Sequence, residues 1–189
     1  MAARGRPRSF DRDEALRRAM RRFWESGYEA TSVSDLTEAM GINSPSLYAA
    51  FGSKEELFRE AVTLYAATEG ASAVRWLDDE PTARTAVESM LRANATAFTD
   101  PDKPPGCMIV LSGVNCSEEN ASVWNFLAET RRSDHARLRE RLDRAVADGD
   151  LPAGADTTGL AAFYTTVLYG LSIQARDGAT RAELHAVVD

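Results

Sequence analysis

Apolar residues along most of the chain recur every three or four positions, the spacing that places them on one face of an α-helix. The first such series consists of Ala15, Leu16, Ala19, Met20 and Phe23. The alternation of apolar and polar residues that marks a half-buried strand is missing from the sequence. We therefore predict an all-α fold in which short helices come first and longer helices follow.

Helix caps divide the first third of the chain. Asp11 is expected to cap a first helix that Gly27 ends, and Thr31 or Ser32 to cap a second helix over 33–40 that stops at Gly41. Three short helices in about forty residues, the last two joined through a glycine, are typical of a helix-turn-helix.

The third helix, over about 44–50, is predicted to begin after the N-cap Asn43, with Pro45 in its first turn. Ser53 and Glu56 have the spacing of a capping box and predict a fourth helix from Lys54 to about residue 76. A helix as short as the third is unstable alone and must be held by packing. Such a helix is useful when its exposed face must enter a narrow space such as the DNA major groove.

Beyond residue 80 the predicted helices lengthen, with breaks at the proline- and glycine-rich segments 99–106 and 149–156. They are expected at about 82–99, 107–114, 118–148, 157–177 and from 180 onward. The resulting organisation is a flexible basic arm (1–8), a helix-turn-helix domain (9–60) and a helical effector-binding and dimerisation domain (61–189).

Charge is distributed unevenly. The formal net charge of the chain is −7, which by itself argues against a nucleic-acid binder. Residues 1–24, however, contain eight arginines against three acidic residues, whereas twelve basic and nineteen acidic residues lie from position 61 onward. The basic N-terminal segment is therefore a candidate for binding a polyanion.

Several classes of protein are excluded. The chain shows neither an apolar run long enough to span a membrane nor the apolar core of a signal peptide. Cys107 and Cys116 are too few for a disulfide framework, so a cytoplasmic location is expected. Neither zinc-ligand spacing nor a phosphate-binding or nucleophile motif is present, so we expect no metal, no cofactor and no enzyme activity. His135, beside Asp134, is expected to form a solvated pair rather than an acid–base dyad.

Residues 6–58 closely resemble the DNA-binding domain of the tetracycline-repressor-like (TetR) family. The resemblance is carried by matches dispersed in register: Phe23, Gly27-Tyr28, Thr31-Ser32-Val33, Leu36, Met40-Gly41-Ile42, Leu47-Tyr48, Phe51 and Ser53-Lys54-Glu55. It implies a homodimeric, ligand-responsive transcriptional regulator, expected to be a repressor of a palindromic operator on double-stranded DNA.

The resemblance also implies roles for individual residues. Thr31, Ser32 and Asn43, at helix N-termini, are expected to bind phosphate, as are Lys54 and the hydroxyl of Tyr48. Base edges are expected to face Ser34, Ser44, Pro45 and Ser46. Family members often carry His and Tyr where this chain has Ala49 and Ala50, so direct readout of bases by the third helix is expected to be limited.

The N-terminal arm offers two interpretations. Arg4, Arg6 and Arg8 surround Gly5 and Pro7 in a pattern that resembles the core of a minor-groove AT-hook. Alternatively, the arm is a disordered basic tail that gives unspecific, salt-dependent attraction to DNA.

In the family, the last two long helices pair with those of a second subunit, which implies a homodimer through about 118–148 and 157–177. A ligand cavity in the larger domain is also implied, with the fourth helix transmitting its state to the DNA-binding domain. The bulky residues that we consider for its wall, each also interpretable as plain core, are Tyr65, Phe98, Met108, Trp124, Phe126 and Tyr164. Because no charged pair stands out among them, we expect an apolar or aromatic small molecule.

Cys107 is either a small buried apolar residue or a sensor of electrophiles or oxidants. It precedes a predicted helix, whose dipole is expected to lower the pKa of its thiol. For the whole chain, the alternative to a DNA-binding regulator is a small all-helical ligand-binding protein or enzyme whose N-terminal helices make protein contacts. Steep salt dependence of DNA binding distinguishes the two.

Overall fold

The computed structural model describes residues 10–70 and 76–189. Within these ranges the regular structure is helical and contains no strand, which confirms the all-α prediction. The helices are α1 (Arg12–Ser26), α2 (Val33–Met40), α3 (Ser44–Phe51), α4 (Lys54–Thr68), α5 (Ala83–Phe98), α6 (Met108–Leu111), α7 (Ala121–Ala147), α8 (Thr157–Arg176) and α9 (Arg181–Val188).

Side-chain caps set the starts of α1 and α2. The Asp11 carboxylate accepts the backbone N–H groups of Asp13 and Glu14 at 3.0 and 3.1 Å. Ser32, and not Thr31, caps α2. The Ser32 hydroxyl accepts the Asp35 N–H, and the Asp35 carboxylate accepts the Ser32 N–H. These bonds satisfy donors that have no partner inside the helix, so the predicted starts are confirmed.

The prediction for α4 is wrong at its C-terminal end. The helix ends at Thr68 instead of continuing to about residue 76. Gly70 closes it, because its N–H donates to the Tyr65 carbonyl at 2.8 Å. The Tyr65 carbonyl therefore accepts its bond from a turn at the end of the helix. Residues 76–79 are helical again.

The helix predicted over 107–114 is also too long, since α6 spans only Met108–Leu111. At Ser112 the backbone turns toward α1: its carbonyl accepts the Tyr28 N–H at 3.0 Å, and its hydroxyl donates to the Phe23 carbonyl at 3.3 Å. The next long helix begins at Ala121, after a 3₁₀ turn over Glu118–Asn120. At Ser112, hydrogen bonds to Phe23 and Tyr28 therefore take the place of bonds that would continue α6.

Aromatic residues form the centre of the N-terminal core. Phe23 is completely buried, and the Phe58 ring packs edge-on against both Phe23 and Tyr28 with centroids 5.0 Å apart. Leu36 and Leu47 anchor α2 and α3 to this cluster. The same cluster extends into the larger part of the chain through Met108, Ile109, Val123 and Leu127.

A second apolar cluster joins α5 to the C-terminal half of α7, to α8 and to α9. Its members include Leu91, Leu138, Leu142 and Leu171, each at most 4% exposed. Cys107 packs against both clusters, which makes the start of α6 the point where they meet.

The basic arm with Arg4, Arg6 and Arg8 lies outside the described residues. Both interpretations of the arm, a minor-groove AT-hook and a tail with unspecific attraction to DNA, therefore stay predictions. In the described part of the chain, none of the helices combines the length and apolar character needed to cross a membrane.

Candidate nucleic-acid interface and cavity

The face of α3 that points away from the core is open to solvent. Leu47 and Phe51 bury the opposite face, at 0% and 3% exposure, whereas Tyr48 is 48% exposed and Ser44 and Pro45 are exposed too. The helix begins where the Asn43 amide oxygen accepts the Ser46 N–H at 2.9 Å. One face of α3 is therefore packed against the core, and its opposite face is accessible to solvent.

Gly41 forms the turn between α2 and α3. Its φ of 68° lies in the left-handed region, which glycine adopts without steric penalty. Its N–H donates to the Glu38 carbonyl and the Ile42 N–H to the Thr37 carbonyl, so the end of α2 is closed by backbone bonds. Ser32 and Ser34 at the start of α2 are exposed, as a surface contact requires.

Thr31 does not fit its expected role. The residue is 0% exposed, and its hydroxyl donates to the Gly27 carbonyl at 2.6 Å. A phosphate group has no access to a side chain in this position. Thr31 therefore closes the turn between α1 and α2, and its assignment as a phosphate contact is wrong in this conformation.

Lys54 is partly buried against an aromatic ring. Its Nζ lies 4.2 Å from the centroid of Tyr28, a cation–π arrangement. Burial lowers the pKa of Lys54, while Glu29 acts in the opposite direction. The ammonium is thus held in one place at the start of α4.

The arginines of α1 are largely paired within the protein. Arg17 and Arg18 both contact Glu14, at 2.8 and 2.9 Å. Arg22 lies 3.5 Å from Asp35, and Arg21 pairs with Glu25 at 3.2 Å. The positive charge that the sequence concentrates in this segment is therefore partly compensated, which leaves less of it free for phosphate than the sequence indicates.

A cavity of about 100 Å³ lies among α4, α5, α6, α7 and α8. Its wall is mostly apolar and includes Tyr65, Leu77, Met90, Phe98, Leu138 and Leu168. Polar side chains join it from α5, α7 and α8, namely Asn94, Thr130, Arg131, Asp134, His135, Thr165 and Tyr169.

Of the six predicted lining residues, only Tyr65 and Phe98 line this cavity. Met108 is fully buried in the N-terminal cluster, and Trp124 is 45% exposed at the surface. The remaining two also lie elsewhere. The Phe126 ring packs under the Arg59 guanidinium at 4.6 Å, and Tyr164 lines an open groove of about 640 Å³ beside α5 and α9.

Asp134 and His135, which were expected to form a solvated pair, are both partly buried and line the cavity. Burial raises the pKa of Asp134, which favours its neutral form more than in water. The His135 Nδ1 lies 3.1 Å from the Thr165 hydroxyl. The Tyr169 hydroxyl donates to the Arg131 carbonyl, and burial raises the pKa of Tyr169 to about 12.

Cys107 also faces the cavity, but its environment differs from the expected one. Burial raises the pKa of the Cys107 thiol, and the hydrogen bond from the Tyr65 hydroxyl opposes this only in part. The N–H groups of Val110 and Ile109, in the four-residue helix that follows, also lower the pKa of the thiol, but burial outweighs them. The expected lowering of the thiol pKa is therefore wrong.

The segment 106–112 connects this cavity to the N-terminal helices. The Gly106 carbonyl accepts the indole N–H of Trp24 at 3.0 Å, while the next N–H, that of Cys107, donates to the Ser172 hydroxyl at 2.9 Å. Gly106 has a φ of 78°, and a Cβ there would lie 2.7 Å from the Ser172 carbonyl oxygen. The backbone is therefore closely fitted between α1 and α8.

Helix α8 leaves an apolar face uncovered. Phe163 and Ile173 are 61% and 50% exposed, unusual values for large apolar side chains. Thr166 is exposed on the same face, and a Cβ added at Gly170 would meet open space. Spacings of three and four residues place all four positions in one stripe.

Comparisons with known proteins agree with this geometry. Residues 15–61 match the family model "Bacterial regulatory proteins, tetR family". The chain is 37% identical over 183 residues to the transcriptional repressor ComR of Escherichia coli (strain K12), covering 96% of this chain and 87% of ComR. The chain belongs to the TetR family.

Two further relatives support the assignment to the TetR family. The E. coli (strain K12) repressor BdcR is 35% identical over 188 residues, covering 96% of this chain and 87% of BdcR. A solved structure of a cysteine-substituted form of the TetR-family regulator CifR, complexed with 26-bp operator DNA, superposes with a TM-score of 0.94 at 49% identity. That match covers 97% of this chain and 96% of CifR.

Membership in the TetR family decides between the two functions that the sequence left open. The chain is a DNA-binding transcriptional regulator with an N-terminal helix-turn-helix. Because the family consists of transcriptional regulators, the chain is not an enzyme. In the described ranges, 10–70 and 76–189, His, Cys, Asp and Glu form no group that would hold a metal ion.

Sequence reasoning missed the polar residues of the cavity in this TetR-family protein. Arg131, Asp134 and Leu138 follow the buried Leu127 at spacings of three and four on α7. The same periodicity that predicted the helix therefore placed a carboxyl group on its inward face. That signal was available in the sequence.

Proposed function

We propose that this TetR-family regulator is a homodimeric repressor, released from a palindromic operator when a small molecule occupies the cavity beside Cys107. It acts in the cytoplasm, where it has access to its DNA. The observation that carries the proposal is α3, a capped helix with one face buried by Leu47 and Phe51 and the other exposed.

The proposed DNA contacts fall into two groups. Ser44, Pro45 and Ser46 face base edges in the major groove, and Ser34 joins them from α2. Phosphates are bound at the helix N-termini that Ser32 and Asn43 cap, and by the Tyr48 hydroxyl and Lys54. Since phosphate contacts set orientation and base contacts set sequence preference, the two groups have separable effects.

The proposed dimer forms through α7 and α8. The uncovered stripe of Phe163, Thr166, Gly170 and Ile173 supports a close approach of two copies of α8. A two-fold axis places two copies of α3 about 34–36 Å apart, or a multiple of that distance, to match half-sites on one side of the duplex.

The proposed effector is a small apolar or aromatic molecule. A volume near 100 Å³ and a mostly apolar wall that includes Tyr65, Met90 and Phe98 favour a ligand of a few heavy atoms. An apolar cavity of about 150 Å³, half as large again, takes up benzene. Asp134 and His135 add polar groups that are able to orient such a ligand.

Release follows from a shift between two dimer states with different spacings of α3. Tyr65 lines the cavity from α4, and segment 106–112 connects its opposite wall to Trp24 and Tyr28. Displacement of either element by a ligand therefore acts on the DNA-binding helices. A hundredfold loss of DNA affinity requires about 2.7 kcal/mol of coupling, which is within the usual allosteric range.

The reactive-thiol hypothesis for Cys107 belongs to the same cavity. An electrophile that enters it meets a thiol held by Tyr65, and the added group would occupy the space at the junction of the two cores. Cys107→Ser is expected to abolish release from DNA by N-ethylmaleimide, and Cys116→Ser to leave it unchanged. Equal release from both variants contradicts the hypothesis.

The decisive experiment on DNA binding is selection of bound duplexes from a random pool at about 0.15 M salt, without added ligand. A two-fold symmetric consensus with half-sites one helical turn, or a multiple of one turn, apart is expected. A consensus without symmetry contradicts the dimeric arrangement, and recovery of unrelated sequences contradicts base recognition by α3. The selected duplex then serves to screen small molecules for release.

A further inference from the structure

Arg12, the first residue of α1, contacts two other helices of the DNA-binding domain. Its Nη2 donates to both carboxylate oxygens of Glu60 on α4 at 2.8 Å and to the Ala50 carbonyl on α3 at 3.3 Å. The guanidinium carbon lies 4.3 Å from the centroid of the Phe51 ring. One side chain thus connects the start of α1, the end of α3 and the middle of α4.

Arg12 contacts α3 in its last turn, at the Ala50 carbonyl. Ala50 and Phe51 are its last residues, and the final carbonyls of a helix have no partner within it. A cation is favoured at this negative end of the helix dipole. An eight-residue helix is unstable by itself, so its direction depends on what holds each end. Asn43 and Gly41 hold the first end. At the second end the Gly52 N–H closes the helix on the Tyr48 carbonyl, and Arg12 adds a side-chain contact from α1.

We propose that Arg12 is a positioning residue that sets the angle of α3 for base recognition, with Glu60 holding the guanidinium in place. The inference rests on the proposed contact of α3 with base edges. Glu60 lies on α4, five residues before the cavity residue Tyr65. The contacts of Arg12 therefore connect α3 to the helix that reaches the cavity. Arg12 acts on DNA through α3 and not by direct contact.

A direct phosphate contact by Arg12 is the competing role, and the structure disfavours it. The Arg12 side chain is only 26% exposed, and both Glu60 carboxylate oxygens lie within 2.8 Å of its Nη2. The guanidinium charge is therefore neutralised locally, and its face is covered by Phe51. The two roles differ in the effect of removing Glu60, because a phosphate contact would be strengthened by losing a nearby negative charge.

The test uses the full-length protein and two duplexes of equal length and composition: one obtained by selection from a random pool, and a scrambled version of it. Arg12→Lys keeps the charge and the ion pair with Glu60, but an ammonium is unable to reach the Ala50 carbonyl at the same time while lying flat on Phe51. We expect about tenfold weaker binding to the selected duplex, the equivalent of one charge-assisted hydrogen bond. Binding to the scrambled duplex should change by less than about twofold, with the same salt dependence.

Glu60→Gln separates positioning from electrostatics. Removing a negative charge from the DNA-binding domain favours binding to every duplex, so a lower affinity for the selected duplex alone requires a change in α3. We expect that loss, together with unchanged or tighter binding to the scrambled duplex. Arg17→Lys is the matched control, because Arg17 lies on the same helix and contacts Glu14 at 2.8 Å.

Circular dichroism and thermal unfolding establish that each variant is folded before affinities are compared. If Arg12→Lys unfolds, Glu60→Gln decides the question, since it preserves the shape of the side chain. Equal losses on both duplexes, or no loss with either variant, overturn the proposal. A reduced salt dependence in Arg12→Gln, with wild-type affinity in Arg12→Lys, assigns Arg12 to phosphate instead.

Discussion

At the residue scale, the side chains that cap the helices of this regulator form hydrogen bonds that the sequence predicts. Asn43, Ser32 and Ser53 each accept the N–H of the residue three positions later, as their sequence spacing predicts. The predicted box at Ser53 and Glu56 is nevertheless only half formed, because the Ser53 N–H donates to the Phe51 carbonyl. In the tight turn between α3 and α4, the Ser53 N–H is bonded to the Phe51 carbonyl and not to the Glu56 side chain, as a complete capping box would require.

Lys54 and Ser46 test whether phosphate and base contacts are separable. Lys54→Ala is expected to weaken binding to all duplexes alike and to reduce the slope of log affinity against log salt by about 0.9. Ser46→Ala should instead alter the preferred sequence with an unchanged slope. Fluorescence anisotropy at several salt concentrations, on the selected and scrambled duplexes, measures both effects. An unchanged slope for Lys54→Ala would mean that its ammonium stays on the Tyr28 ring in the complex.

The pH dependence of Cys107 labelling follows from its raised pKa. Because burial disfavours the thiolate, the thiolate fraction at pH 7 is smaller than for a free cysteine. In a Cys116→Ser background, the rate of N-ethylmaleimide addition should rise about tenfold per pH unit through the ordinary range of a thiol pKa and continue beyond it. Intact-mass measurements of the folded protein check this. A plateau below pH 8 would show that the thiol pKa is lowered.

At the scale of elements, α3 depends on neighbours for both of its ends. Its first turn is closed by Asn43, its last turn contacts Arg12, and its inner face is anchored by Leu47 and Phe51. With only two turns of helix, little cooperative stability is available internally. Changes at these few contacts should therefore affect DNA recognition more than comparable changes on a long helix.

A pair of substitutions at Asn43 separates capping from phosphate binding. Asn43→Ala removes the cap and should lower the free energy of unfolding by about 1 kcal/mol. Asn43→Asp retains the cap, and its charge is favoured at a helix N-terminus, so stability should be kept. The same charge repels phosphate, so DNA binding should fall in Asn43→Asp. Urea unfolding and DNA titration measure the two quantities, and wild-type DNA affinity in Asn43→Asp would place phosphate elsewhere.

At the scale of the whole molecule, the exposed stripe on α8 predicts how subunits associate. Phe163→Glu or Ile173→Glu places a charge where apolar surface is expected to be buried, and each change occurs twice in a symmetric interface. At about 1.5–3 kcal/mol for each buried apolar side chain, the dimer should dissociate at least a hundredfold more readily. Sedimentation measures the oligomeric state, and operator affinity should fall with it.

The control for this prediction is Val187→Glu, since Val187 is equally exposed, at 50%, but lies on α9. That variant should remain dimeric and bind DNA as the wild type does. Dissociation by Val187→Glu, with an intact dimer in Phe163→Glu, would move the interface from α8 to α9.

The helical fold, the caps of the N-terminal domain and the exposed face of α3 were readable from the sequence, because each depends on residues within a few positions of one another. Asn43 and Gly41 act on neighbouring backbone groups, so their chemistry is local. The dispersed matches from Phe23 to Lys54 likewise placed the chain in the correct family.

Tertiary structure decided whatever depends on groups far apart in the chain. Thr31 is buried, Arg12 reaches Glu60 at a separation of 48 residues, and Trp24 reaches Gly106 at a separation of 82. Cys107 has a raised and not a lowered thiol pKa, because desolvation by the surrounding helices outweighs a four-residue helix. Burial and long-range hydrogen bonds arise only when the helices pack. Spacing along the chain therefore predicted most of the helices, but neither the ends of α4 and α6 nor the contacts between helices.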